Sequence, residues 1–256
     1  MKLVRSVDRA IKILVLVAQA DEPIGLSEIS RVTQIDKATA LRLLSTLEAS
    51  SLVQRDPTTR RYGPGHNIWR LASYWRNDLR TASRPHLEAL RRSTEETVSL
   101  VCPRGLERIV VDALAAPHEL CVVPVMGSAL PVYTGASGKV IMAYLPDEER
   151  NRVIELTNLK PVIPAATTDR KTYMAIIEDV RRKGYAVSVG DVTVGAAAIA
   201  APVFDTAGKL AAIVSVRGPD VRMSAERMEL IAPLVVETAR DISRELGFEA
   251  DTSRVA

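Results

Sequence analysis

Lys37, Thr39 and Arg42 stand within six positions at the start of a short helical pattern, and their side chains are of the kinds that read base edges. Lysine and arginine donate to the major-groove edge of guanine, and a threonine hydroxyl donates or accepts. Ala38 and Ala40 beside them are small enough to meet thymine methyls. Arg60 and Arg61 end the turn Asp56-Pro57-Thr58-Thr59-Arg60-Arg61, where a hairpin tip would touch phosphate or the minor groove. Arg5 and Ser6 are placed to clamp backbone near the N-terminus. Any exposed helix carries Lys and Arg, so no one of these residues is diagnostic; their shared order is.

A second group, Gly135-Ala136-Ser137-Gly138-Lys139, is superficially a phosphate loop. It lacks the full Walker spacing and the Ser or Thr after the lysine. The reading is a glycine-rich loop entering a helix that begins near Lys139, with free backbone amides for a carboxylate; the alternative is a tight turn with no ligand. His66, His86 and His118 stand at no metal spacing from one another or from Cys102 and Cys121, and no base neighbours Ser137 or Lys139. No catalytic residue, metal or cofactor is therefore expected. Both cysteines lie in apolar surroundings and read as buried, inert thiols.

The 256 residues are 47% hydrophobic with only 4% aromatic, so one or two cores must be built from Leu, Ile, Val and Ala. The net charge of +3 is unevenly placed. Residues 1–65 hold 10 Lys and Arg against 7 Asp and Glu, and residues 66–256 hold 24 of each, so the whole excess falls on the candidate reader. An excess of three binds phosphate weakly in one copy, and a dimer doubles it. The N-terminal apolar run follows Asp8 and Arg9 and lacks a cleavage-like site, and no segment reads as a membrane span. A cytoplasmic protein without membrane contact is expected.

The periodicity predicts helix one from Ser6 or Val7 to Ala20, with Val7, Ala10, Ile11, Leu14, Val17 and Ala18 on its apolar face. Helix two runs Leu26 to Val32 and helix three Lys37 to Ser50, with Asp36 as its N-cap and Ala40, Leu43, Leu44 and Leu47 inward. A strand-turn-strand over Leu52–Tyr62 completes a winged helix-turn-helix order. His66 to Asp78 is a further helix striped by Ile68, Leu71, Ala72 and Trp75, and Leu79 to Ser93 another, interrupted near Pro85. Strands are then expected at Thr97–Cys102, Glu107–Ala113, Glu119–Val125, Tyr185–Ser188, Ala196–Val203 and Lys209–Val216. Helices are expected at Lys139–Leu145, from Pro146, at Asp169–Lys183 and at Ser224–Leu246, with a hairpin turn at Asp205–Gly208. This order gives an α+β domain on an antiparallel sheet. The division is 1–65 for the winged helix-turn-helix, 66–93 for linker helices and 94–256 for the second domain.

Ordered fragments along nearly the whole chain resemble the IclR family of transcriptional regulators. They are Val4-Arg5-Ser6-Val7-Asp8-Arg9-Ala10, Ile35 through Leu47, Arg61-Tyr62-Gly63-Pro64-Gly65, Ala136-Ser137-Gly138-Lys139, Lys183-Gly184-Tyr185-Ala186, Gly195 through Asp205, and Val216-Arg217-Gly218-Pro219. The resemblance implies a winged helix-turn-helix joined by a linker helix to a GAF-like effector-binding domain. It implies a homodimer or homotetramer that binds a double-stranded DNA operator in response to a small molecule. It supports Lys37, Thr39 and Arg42 as reading residues.

For a small-acid ligand, the resemblance places loop amides at Gly135 and Ala136 and strand contacts at Ser188, Ala198, Ser215 and Arg217. The chain departs from the family pattern where Ser188 replaces an Asp, Ala198 a Cys and Arg217 one of two Ser. Losing an anion and gaining a guanidinium favours an anionic ligand. With the small residues Ala196–Ala198, Ala200 and Ala201, this points away from glyoxylate or pyruvate and toward a mostly apolar acid such as an aromatic carboxylate. Asp191, where relatives commonly carry Glu, would orient Arg217 or bond a ligand hydroxyl; Arg217 is otherwise an exposed strand residue or Asp191's structural partner. Val132, Met126, Val187 and Val214 are candidate apolar liners. The leading expectation is a ligand-responsive, sequence-specific regulator of a catabolic or metabolic operon. The alternatives are a constitutive DNA-binding protein whose second domain serves oligomerisation, and an enzyme with a DNA-binding appendage.

Overall fold

A computed structural model describes residues 3–20, 22–73, 77–163 and 169–248. Two compact units divide at Asn77/Asp78. The expected stripe residue Trp75 lies outside the described residues, as does the Ala72 side chain.

Unit 1 begins with α1 (Arg5–Gln19), α2 (Leu26–Thr33) and α3 (Lys37–Ala49). Gln34 ends α2 in the left-handed region at φ 57°, which turns the chain sharply. Asp36 caps α3 as expected, its carboxylate accepting from the Thr39 N–H at 2.9 Å. Ile13, Val17, Ile29, Ile35, Ala40, Leu44, Leu47, Val53 and Tyr62 form the core. The apolar face expected for α1 is rotated from the observed one. Val7 and Ile11 are 54% exposed, and the buried residues are Ile13 and Val17. The helix is apolar on two sides, so periodicity alone does not tell which side meets α3. The wing is β1 (Val53–Arg55) paired antiparallel with β2 (Tyr62–Pro64), extended by the bridge from Ile24 to Tyr62. Helix α4 (His66–Ser73) follows.

Unit 2 begins with α5 (Asn77–Thr94), which runs through Pro85 without the expected break. A proline removes one internal hydrogen bond, and the packing of Leu79, Leu87 and Leu90 against the sheet outweighs that loss. The sheet comprises β3 (Thr97–Arg104), β4 (Glu107–Leu114), β5 (Ala129–Pro131), β6 (Ala186–Val189), β7 (Ala196–Phe204) and β8 (Leu210–Pro219). Their spatial order is β5-β4-β3-β8-β7-β6, with every pair antiparallel. Glu119–Val125 forms no strand. Leu120, Val123 and Val125 stay exposed and Pro124 cannot donate to a ladder, so the run has neither a buried face nor continuous pairing. Of the two cysteines expected to be buried, Cys102 is, whereas Cys121 in this segment is only half-buried.

Helices cover the sheet on both faces. On one, α5 and α9 (Ala225–Glu245) pack against Val98, Leu100, Ile199, Val214 and Val216. On the other, α6 (Gly135–Tyr144), α7 (Asp147–Thr157) and α8 (Arg170–Lys183) pack against Val101, Val110, Ala200 and Ile213. The central strand β3 is therefore buried from Thr97 to Cys102, while the edge strand β6 alternates buried and exposed residues.

Candidate functional site

In unit 1, α3 turns Lys37, Ala38, Arg42 and Ser45 to solvent, with Thr39 half-buried beside them. Ala40 is buried in the core, so of the two alanines only Ala38 is presented. Leu44 and Leu47 anchor the opposite face. Among the described residues Lys37, Arg42 and Arg60 have no ion-pair partner, so their charge is available to phosphate or bases. The wing tip is folded by Asp56, which accepts from Thr58 N–H at 2.9 Å, from Thr59 N–H at 2.6 Å and from the Thr59 hydroxyl at 2.9 Å. These bonds hold the Asp56 carboxyl below its usual range, the Thr59 amide being the largest cause. Arg60 sits beyond them with φ 56°. Arg61 donates to the Pro23 carbonyl at 2.9 Å, tying the wing to the segment before α2. Arg5 and Ser6 are exposed in the first turn of α1.

In unit 2, strand register assembles the candidate effector residues. Ser188 lies opposite Ala198, Ala198 opposite Arg217, and Arg217 opposite Thr97, forming one row across four strands. The next row is Ala186, Ala200, Ser215 and Ser99. Side chains two apart on a strand share a face, so Ser188, Ala198, Ser215, Arg217, Ser99 and Val101 all meet the α6 side. Together with Gly135, Ala136 and Asp191 they line a cavity of about 40 Å³.

Helix α6 starts at Gly135, four residues earlier than expected, so the glycine-rich segment is its first turn rather than a loop before it. The first internal bond of α6 runs from Gly138 N–H to Thr134 O at 3.1 Å, and the amides of Gly135, Ala136 and Ser137 precede it. Gly135 takes φ 64° and is pressed against Arg108 and Ser188; a Cβ there would stand 3.5 Å from an Arg108 Nη and 3.8 Å from Ser188 Oγ.

Asp191 does not hold Arg217. It pairs with Lys139 at 2.6 Å, and Lys139 also donates to the Val187 carbonyl at 3.0 Å. Arg217 is half-buried on the cavity wall, and burial lowers its pKa. Its Nε is buried without a partner. Val187 and Val214 fall on the opposite strand parity and Val132 and Met126 lie away from the cavity; the apolar liners are instead Val101, Val110, Leu130 and Val192.

Arg108 on β4 is the charged cavity residue that sequence reasoning missed. It is 7% exposed, and burial, followed by repulsion from Arg217, pushes its pKa down to about 10. Its Nε also lacks a partner. Period two links Arg108 with Val110, but Ile109 and Val111 make β4 apolar on both faces and hide the signal. The buried acids of unit 2 are treated differently. Glu96 takes Arg222 at 2.5 and 2.9 Å, and Asp112 takes Arg84 at 3.1 and 3.3 Å.

A family model described as the IclR helix-turn-helix domain matches residues 6–57, and one described as the bacterial transcriptional regulator IclR C-terminal domain matches residues 72–244. The chain is 29% identical over 248 residues to the HTH-type transcriptional repressor AllR of Escherichia coli strain K12, spanning 96% of this chain and 92% of that one. The crystal structure of Thermotoga maritima IclR superposes with a TM-score of 0.82 at 28% identity, over 95% of this chain and 99% of that one. An IclR homolog from Microbacterium hydrocarbonoxydans, solved in complex with 4-hydroxybenzoate, shares the fold with a TM-score of 0.79 at 22% identity, over 94% of this chain and 99% of that one.

Proposed function

The chain belongs to the IclR family of bacterial transcriptional regulators and is a ligand-responsive DNA-binding regulator, and on that premise we propose that its effector is a small organic acid whose carboxylate is held in the cavity of unit 2. The observation that carries this reading is Arg217, whose Nε faces no partner in a cavity that it shares with Arg108, Asp191, several hydroxyls and small apolar residues. A buried guanidinium without a counter-charge is costly, and a carboxylate that forks onto it removes the cost. The α6 amides at Gly135 and Ala136 and the hydroxyls of Ser188 and Ser215 supply further donors, and Asp191 accepts from a ligand hydroxyl. The protein acts by binding and carries out no catalysis.

The volume of about 40 Å³ bears on the size of the acid. An apolar cavity that takes up benzene measures roughly 150 Å³. An aromatic acid such as the 4-hydroxybenzoate held by the Microbacterium homolog therefore needs the wall at Pro124 and Leu130 to move outward, whereas a compact acid enters as the cavity stands.

On the DNA side, Lys37, Thr39 and Arg42 read bases in the major groove, Arg60 and Arg61 on the wing meet phosphate or the minor groove, and Arg5 and Ser6 hold backbone. The assembly is a homodimer or homotetramer acting in the cytoplasm. An exposed apolar stripe on and just before α1, formed by Val4, Val7, Ile11 and Val15, is an available surface for self-association.

Thermal denaturation with benzoate, 4-hydroxybenzoate, pyruvate, glyoxylate, malonate and succinate tests the effector reading. At least one acid raises the melting temperature of the wild type, and Arg217→Ala loses the rise. A rise that survives in the variant, or no rise with any acid, would sink it.

A further inference from the structure

The cavity holds more positive charge than one carboxylate matches. Its charged groups are Arg108, Arg217 and Asp191, and Asp191 is already neutralised by Lys139 at 2.6 Å. Among the described residues neither the Arg108 nor the Arg217 side chain makes a hydrogen bond or an ion pair, and the Nε of each is buried without a partner. Elsewhere in unit 2 the buried acids Glu96 and Asp112 each have an arginine partner. Among the described buried charges of unit 2, the unmatched ones are therefore the two guanidinium groups of the cavity.

The register places the two arginines apart. Arg217 on β8 and Arg108 on β4 flank β3 from either side, opposite Thr97 and Pro103 respectively. Six residues of strand put those positions about 20 Å apart along β3. Ser99 and Val101 lie between them and line the cavity floor. Though rooted so far apart, the two guanidinium groups converge in one cavity, close enough to repel each other, and a planar carboxylate has one edge for one fork and a single charge to set against two. The Arg108 guanidinium lies beside the first turn of α6, since a Cβ on Gly135 would stand 3.5 Å from an Arg108 Nη and 3.8 Å from Ser188 Oγ.

We propose that the effector is a short dicarboxylate, one carboxylate held by Arg217 and the other by Arg108 with the first turn of α6. The inference rests on the carboxylate reading above and narrows it. Arg108 then acts as a specificity residue, because an acid with one charge leaves it unmatched.

Titration calorimetry of the full chain at constant ionic strength, with oxalate, malonate, succinate and glutarate against acetate, propionate, butyrate and valerate, tests this on the wild type, Arg108→Gln and Arg217→Gln. Melting curves confirm that each variant is folded. In the wild type at least one diacid binds about tenfold or more tightly than its chain-matched monoacid. In Arg108→Gln that preference falls to within about twofold while binding through Arg217 persists. Monoacids binding as tightly as diacids, or a preference that survives Arg108→Gln, overturns the dicarboxylate assignment and leaves the carboxylate reading standing. Absence of binding by every acid overturns both.

Discussion

At the scale of single residues, Arg108 sacrifices stability for a site. Its pKa of about 10, well below the ordinary arginine range, means that holding it charged in the folded protein costs roughly 3 kcal/mol. The folded state binds fewer protons than the unfolded one between that value and the ordinary range, so the cost is fully present below about pH 10 and is relieved as pH rises through it. Replacing Arg108 with Met, of similar reach and no charge, is expected to raise the melting temperature of the unliganded protein by several degrees near pH 8. The gap over the wild type narrows above pH 10. Melting curves of both proteins at the two pH values check this; a variant less stable than the wild type at pH 8 would mean that Arg108 has a stabilising partner. The alternation on β4 shows why this residue was hard to read. Arg108 and Val110 face α6, yet Asp112, two residues further on, faces α5 because the ladder shifts register opposite Leu100 and Val101. A bulge flips every later side chain, and the apolar run Ile109–Val111 at its centre holds no pattern that announces it.

At the scale of elements, the start of α6 depends on one glycine. A Cβ on Gly138 would lie 2.5 Å from the Tyr133 carbonyl carbon and 2.9 Å from Val132 O, both backbone atoms that cannot swing aside. Gly138→Ala therefore forces the first turn of α6 away from the Val132–Tyr133 backbone that precedes it, and overpacking of this kind costs about 1–3 kcal/mol. The expected result is a lower denaturation midpoint together with weakened acid binding, because the Gly135 and Ala136 amides move with the turn. Unchanged binding in a destabilised Gly138→Ala protein would show that those amides do not touch the ligand. Several elements were legible because their termini carry local chemistry. Asp36, Asp169 and Ser224 each cap a helix by accepting a backbone N–H, and Gly184 and Gly208 take the positive φ that their turns require. Among the elements that differ from expectation, the start of α6 and the missing strand at Glu119–Val125 lack such signals. Their state is decided by what packs on them.

At the scale of the whole molecule, the +3 excess within residues 1–65 makes unit 1 the seat of the salt dependence. Arg42→Ala is expected to cost about 1–3 kcal/mol on a cognate operator and to relax the preference at one base pair. Arg60→Ala should instead weaken all sequences alike and lower the salt slope by about one. Binding isotherms on cognate and scrambled duplexes at several salt concentrations separate them, and identical behaviour of the two variants would refute the division of labour between α3 and wing. What the sequence by itself determined is the order and type of most elements, the helix caps, the location of the charge excess and the family. These follow from properties carried along the chain over a few residues. Only the tertiary structure decided which side of α1 is buried, that Asp191 answers Lys139 rather than Arg217, and that Arg108 shares a cavity with Arg217 from across β3. Those facts depend on register and packing between residues far apart in sequence, and a linear pattern holds no record of which distant group a side chain will meet.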